Sequence, residues 1–241
     1  IRNIFNIADT FFNNSNIIAI GGPSVTPKNN TFFQKISGAS FCSKFSGAAP
    51  ERYIPFGNSR TVDDWPSVNL MVRKKLFFKV GGFDTNFWPG EDTKFCLELG
   101  KIKNKKIFYC PKLIVFHHRR LNLKDHLKQI SNYGLHRGYF VKIFPQNSFK
   151  LKYFLPSIVF LNICLLPALY FIDNFYLSIV GSSSLTLYFI IQLFAIFDLN
   201  SKIKNFKVSI FTLPLNILTH FFYGFNFIRG LLKKNLRSKL R

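Results

Sequence analysis

Two adjacent carboxylates, Glu91 and Asp92, stand just after a Pro89-Gly90 break and just before a helical run from Thr93 to Leu99 that Gly100 closes. The chain holds 11 Asp and Glu against 33 Lys and Arg, so an acidic pair on a turn at a helix start is conspicuous. Carboxylates there are favoured by the positive end of the helix dipole and can accept backbone N–H bonds. Both effects keep them ionised, as a general base or an anion beside a metal must be. Position alone does not separate this chemistry from ordinary capping; the surrounding residues decide. Further on, a strand delivers His117-His118-Arg119-Arg120 at its end. Gln129, Tyr133 and Arg137 then recur every four residues, which puts them on one helix face.

The apolar pattern says what carries these groups. Residues 1–12 read as a helix with Ile4, Phe5, Ala8, Phe11 and Phe12 on one side. Ile17 to Ile20 is a short continuous apolar run ending in Gly21-Gly22-Pro23, the mark of a buried strand of a parallel sheet. A helix is expected from Thr31 to about Ser46 and a loop from Gly47 to Gly57. Val62-Asp63-Asp64-Trp65-Pro66-Ser67 leads into a strand over Val68–Val72. A short helix over Arg73–Val80 stops at Gly81, a natural left-handed residue. Strands are expected at Ile107–Cys110 and Leu113–Phe116. Asn122 caps a long amphipathic helix, with Leu123, Leu127, Ile130, Phe140, Val141 and Phe144 toward one side. The fold class is α/β.

The last third changes character. Phe154 to Ile172 and Phe175 to Phe197 carry no charge and are each long enough to span a bilayer, with Asp173-Asn174 as a minimal turn. Val208 to Ile228 is a poorer uncharged stretch, interrupted by Pro214, Asn216, His220 and Gly224. Residues 1–153 hold 24 Lys/Arg against 9 Asp/Glu, a net of +15, and the remainder hold 9 against 2, a net of +7. The basic domain, the Lys202–Lys207 loop and the basic tail all belong on the cytoplasmic side. Two spans satisfy that and a third would not, so 208–228 is expected to be interfacial or re-entrant. The organisation is then a catalytic part at 1–121, an interface helix and linker at 122–153 and a membrane region at 154–241. Such basicity suits an anionic partner. With 31 Phe and two spans, that partner is membrane lipid rather than nucleic acid, for which no recognition motif is present. Cys42, Cys96, Cys110 and Cys164 have no metal or disulfide spacing and read as buried or lipid-facing thiols.

The ordered set of Gly21-Gly22-Pro23, Val68-Asn69-Leu70 with Arg73, Gly81-Gly82-Phe83-Asp84, Gly90-Glu91-Asp92, Pro111, Val115 to Arg120 and Gln129-xxx-Tyr133-Gly134-xx-Arg137-Gly138, followed by membrane segments, resembles the C-terminal portion of a membrane-associated family 2 glycosyltransferase. The resemblance implies a partial GT-A domain, a Rossmann-like mixed sheet, followed by transmembrane helices. It implies an inverting transferase of hexosyltransferase type. A sugar would move from a nucleotide-sugar donor to a lipid-linked or cell-envelope glycan acceptor at the cytoplasmic (inner) membrane face. Asp92 would be the base that takes the acceptor proton, and Glu91 would orient the acceptor. Trp88, Gly90, Gln129, Tyr133, Arg137, Arg119 and Arg120 would bind substrate. His117, or alternatively His118, would help hold a divalent Mg or Mn. The Gln129/Tyr133/Arg137 face departs from the Gln-x-x-Arg-Trp form of processive polymerases, which favours single-sugar transfer. The donor-binding βαβ half with its Asp-x-Asp metal ligands is not visible and is expected upstream of Ile1 or in a separate partner chain. The alternative is a non-catalytic membrane-anchored remnant or scaffold.

Overall fold

A computed structural model describes residues 2–46, 49–171 and 175–236. The Asp173-Asn174 turn, Gly47 and the tail residues Arg237, Lys239 and Arg241 lie outside them. Helix α1 (Arg2–Phe12) leads into strand β1 (Ile17–Gly21), every residue of which is buried. Then follow β2 (Ser24–Val25), α2 (Phe32–Ala39), β3 (Arg60–Val62), β4 (Leu70–Val72), α3 (Lys74–Lys79), α4 (Glu91–Gly100), β5 (Lys106–Tyr109) and β6 (Val115–Phe116). Helices α5 (Leu123–Ile143), α6 (Pro145–Ser148), α7 (Leu151–Phe171), α8 (Phe175–Ile203) and α9 (Phe206–Leu232) complete the described chain.

The strands form a mixed four-stranded sheet in the order β3-β5-β1-β4. Strand β1 runs parallel to β5 and antiparallel to β4, while β3 runs antiparallel to β5. A separate parallel pair joins β2 to β6, Ser24 opposite Val115. One cluster packs Ile18, Ala19 and Ile107 against Phe95, Cys96 and Leu99 of α4; another packs Ile20, Cys110 and Leu113 against Ala8 of α1. A strand covered on both sides needs no alternation, which is why Ile17–Ile20 is uniformly apolar.

Two local expectations are corrected and one strand is added. The Thr31–Ser46 helix ends at Ala39. The Thr31/Gln34 capping box starts it, but beyond Ser40 the carboxylate of Asp198 in α8 accepts from Ser43 Oγ at 2.8 Å and from the Lys44 N–H at 3.1 Å. Those bonds turn Lys44–Ser46 into a 3-10 turn. Strand β3 is an addition: Arg60-Thr61-Val62, just beyond the Gly47–Gly57 loop and carrying no strand signal of its own, forms by pairing with the edge of β5. The Leu113–Phe116 strand shortens to Val115–Phe116. Gly81 does take a left-handed conformation, at φ +85°.

The apolar face expected on α5 is also corrected. Ile130, Phe140 and Val141 are buried as expected, but Leu123 is exposed, and Gly134, Gly138 and His126 join the buried side. The reason is the closeness of α9. A Cβ on Gly134 would lie 2.4 Å from the Tyr223 carbonyl oxygen, and one on Gly138 would lie 2.0 Å from that of Phe227. His126 bridges three helices, with Nδ1 2.8 Å from Ser37 Oγ of α2 and Nε2 3.0 Å from Thr219 Oγ1 of α9.

Helices α7, α8 and α9 are each long and apolar enough to cross a membrane. They differ in what surrounds them. Only 6% of the apolar window of α7 is buried inside the protein, against 44% for α9. Val208 and Leu215 of α9 pack on Ile36 and Ala39 of α2, and its later turns lie along α5. It is one unbroken helix with no reversal in it.

Candidate active site

The Glu91-Asp92 pair occupies the first turn of α4, two residues earlier than the apolar pattern indicated. Gly90 caps the helix without a side-chain bond. It must be glycine because a Cβ there would meet the Phe140 ring of α5 at 2.4 Å. Phe87 closes the same contact, its ring 5.2 Å from that of Phe144. The turn Trp88-Pro89-Gly90, with a cis Trp88–Pro89 bond, is thus laid directly on α5.

Both oxygens of Asp92 are held. Oδ1 accepts the Thr93 N–H at 2.8 Å and Oδ2 accepts the Ser67 N–H at 3.2 Å. Burial, the charges of Asp64 and Glu91 outweigh the Ser67 N–H and Arg52, and the Asp92 carboxyl is pushed up from 3.8 to about 6. This refines the expectation of an ordinary ionised acid: the group is still mostly ionised at neutral pH, but it binds a proton far more readily. Beside it, Glu91 Oε2 is buried with no hydrogen-bond partner.

Asp64 is the residue that sequence reasoning passed over. It is 4% exposed and sits between two guanidiniums, Arg52 at 3.4 Å and Arg137 at 3.3 Å. Burial alone would raise its proton affinity, but Arg52 and Arg137 overcome that and hold its carboxyl below the usual range. Thr93 Oγ1 donates to it at 3.4 Å. Next to it, Trp65 donates its indole N–H to Gly22 O at 3.2 Å, pinning the segment to the end of β1. Asn147 of α6 donates to Thr93 O at 2.9 Å from the other side. The available signal was Asp63-Asp64 beside a tryptophan in a chain so poor in acids; Arg52, Thr93 and Asn147 carried none.

The remaining candidates fall into two groups. Arg137 is an internal brace: besides Asp64 it reaches Thr93 Oγ1 and Ser148 Oγ, each at 3.3 Å, and lies 4.5 Å from the centre of the Tyr153 ring. A cavity of about 420 Å³ opens on this side, lined by Arg52, Asp63, Asp64, Trp65, Lys150 and Tyr153 among others. Arg119 is a brace too, donating to Thr26 Oγ1 and to the Ser24 carbonyl. Gln129 and Tyr133 do share a face, joined by a 2.7 Å hydrogen bond, and Gln129 accepts from Arg120 Nε at 3.2 Å. His118, Arg119 and Arg120 line a second cavity of about 530 Å³ with Asn30, whose buried Nδ2 has no partner. His117 Nδ1 lies 3.0 Å from an Arg119 guanidinium nitrogen, and His118 Nδ1 lies 2.5 Å from Asn30 Oδ1. Among the described residues, no three His, Cys, Asp or Glu side chains converge as a metal site would require.

Compared with curated proteins and with solved structures, the chain has no match. A family model described as "Glycosyl transferase family group 2" matches residues 5–223, so it spans the sheet, the Glu91-Asp92 turn, α5 and most of the three apolar helices α7 to α9. The chain, with its mixed sheet and three apolar C-terminal helices, belongs to the family 2 glycosyltransferases.

Proposed function

We propose that the chain is an inverting glycosyltransferase, or the acceptor-activating part of one, with Asp92 as its general base. The observation that carries this is the Asp92 carboxylate itself: both oxygens are fixed by backbone N–H groups, and its proton affinity is raised to about 6. A base works best when its value approaches the working pH. Asp92 takes the proton of an acceptor hydroxyl as that oxygen bonds to the anomeric carbon. The bond from that carbon to the nucleotide diphosphate breaks on the opposite face, and configuration inverts. The leaving group departs as a phosphate anion, so it needs neutralisation more than a proton. Glu91, with its unpartnered Oε2, accepts from a second acceptor hydroxyl and orients the ring. Arg120 and His118, on the second cavity, are the groups placed to meet an anionic part of the substrate. Trp88 and Gly90 shape the acceptor side of the turn, and the Gln129–Tyr133 pair continues it along α5. Arg137 and Arg119 act through other residues, given the bonds they already make.

Family 2 glycosyltransferases commonly use a divalent metal. His117 and His118 do not fit one by themselves, because a guanidinium lies against His117 and, among the described residues, no third donor converges on them.

The family and the three apolar helices support the following class of substrate. The donor is a nucleotide sugar. The acceptor is a lipid-linked or envelope glycan presented at the inner membrane, with the catalytic part in the cytoplasm. Helices α7 and α8 form the spanning pair, and α9 lies at the interface, held between the catalytic domain and α7. The test is transfer from a panel of nucleotide sugars by membranes carrying the full-length protein. Asp92→Asn is expected to lower turnover by about 10²–10⁴-fold while leaving membrane insertion intact. Undiminished transfer by that variant refutes the base assignment.

A further inference from the structure

We propose that Asp64 is a positioning residue for Asp92, holding the base carboxylate in place through Thr93 and Ser67. The inference rests on the reading of Asp92 as the base and extends it to a group that touches no substrate.

The geometry is a closed circuit. Arg52 and Arg137 grip the Asp64 carboxylate from two sides. That carboxylate accepts the Thr93 hydroxyl, and the Thr93 N–H donates to Asp92 Oδ1. Three residues beyond Asp64 in the same segment, the Ser67 N–H donates to Asp92 Oδ2. Each oxygen of the base is therefore tied to Asp64, one through a side-chain bond and one through the backbone. Trp65 anchors the segment between them by its bonds to Gly22 O and Cys96 Sγ. Asp64 is buried, so water screens its charge only weakly.

The arrangement also has an electrostatic consequence. Around Asp92 stand Glu91 on its own helix, Asp64 from the segment after β3, Arg52 from the turn before it, Tyr133 on α5 and Cys96 one turn along, with Arg137 of α5 on the neighbouring Thr93. Asp64 is the negative charge outside α4 that raises the proton affinity of Asp92. Removing its charge while keeping its shape leaves Arg52 acting on Asp92 without that opposing charge, so the Asp92 proton is held less tightly. Removing Arg52 does the reverse. A merely structural ion pair would move the Asp92 titration in neither direction, or would disturb it alike in both variants.

The experiment follows the side-chain carboxyl carbon of Asp92 by ¹³C NMR in the full-length protein in lipid nanodiscs, its resonance assigned by its loss in Asp92→Asn. The wild-type midpoint is expected at about 6. Asp64→Asn is expected to lower it by about one pH unit or more, and Arg52→Met to raise it. Should Asp64→Asn fail to fold, Arg52→Met alone decides, since Arg137 still holds Asp64 there. A midpoint unmoved, or moved against these signs, overturns the proposal. Its failure is distinct from failure of the base assignment, which is read from transfer by Asp92→Asn and not from titration.

Discussion

Asp92→Asn is expected to stabilise the protein while it removes activity. The sign follows from proton linkage. The folded value of Asp92 is about 6, above its ordinary 3.8, so the native state holds the proton more tightly than the unfolded chain. Stability from this group is fully present below pH 3.8 and is lost as pH rises through about 6. One unit corresponds to about 1.4 kcal/mol, so the wild-type penalty above that range is about 3 kcal/mol at most. Asparagine cannot ionise and escapes it, but keeps only one oxygen to accept from Ser67 or Thr93. The lost bond costs about 1 kcal/mol, leaving a net gain of roughly 2 kcal/mol at pH 8. Thermal unfolding in one detergent across pH 4 to 8 checks it, on the order of the titration range just named. The gap in midpoint should favour the variant at the alkaline end and close or reverse at the acid end. A variant no more stable than wild type at the alkaline end, or a gap indifferent to pH, refutes the reasoning, because it would mean that Asp92 bears no burial and repulsion cost.

Two further outcomes test the frame around the site. Gly138→Ala should lower the melting temperature, costing about 2–3 kcal/mol, because its Cβ would lie 2.0 Å from the Phe227 carbonyl oxygen of α9. In an unpacked helix the same change would gain about 1 kcal/mol, so the sign alone tells whether α5 and α9 are locked. A reporter fused to the C-terminus should read cytoplasmic with α9 at the interface; a periplasmic reading would make α9 a third span.

Much of the frame was legible because it depends on local chemistry. The continuous apolar run of β1, the left-handed Gly81 and the Asn122 cap, which accepts the Asp125 N–H at 2.9 Å, are all short-range features. The Glu91-Asp92 turn was legible for the same reason. What was not legible depends on distant partners. Strand β3 exists through β5, more than forty residues on. The truncation of α2 comes from Asp198, 155 residues from Ser43. Arg137 reads as a surface cation on an amphipathic helix, and only its pairing with Asp64, 73 residues away, makes it internal. Asp64 has no spacing motif because its partners, Arg52, Thr93 and Arg137, come from three separate segments.

Those long-range pairs join the chemistry to the membrane. The turn bearing Asp92 is not held by the sheet alone. It rests on Phe140, its Thr93 is tied to Arg137 and Asn147, and those residues belong to α5 and α6. Helix α5 is in turn fixed to α9 by glycine contacts too close to slip, and α9 to α7 by Gly224 against the Pro156 carbonyl. The carboxylate is therefore registered to the same helices that meet the lipid. For an acceptor anchored in the bilayer this registration matters, because its reactive hydroxyl arrives at a height set by the membrane surface. A base carried on a flexible tether would have to search for it, and misplacement by about 1 Å can cost 10²-fold in rate. With Asp92 as the proposed base, the glycines of α5 and α9, far from any reacting atom, would belong to the catalytic apparatus in that sense.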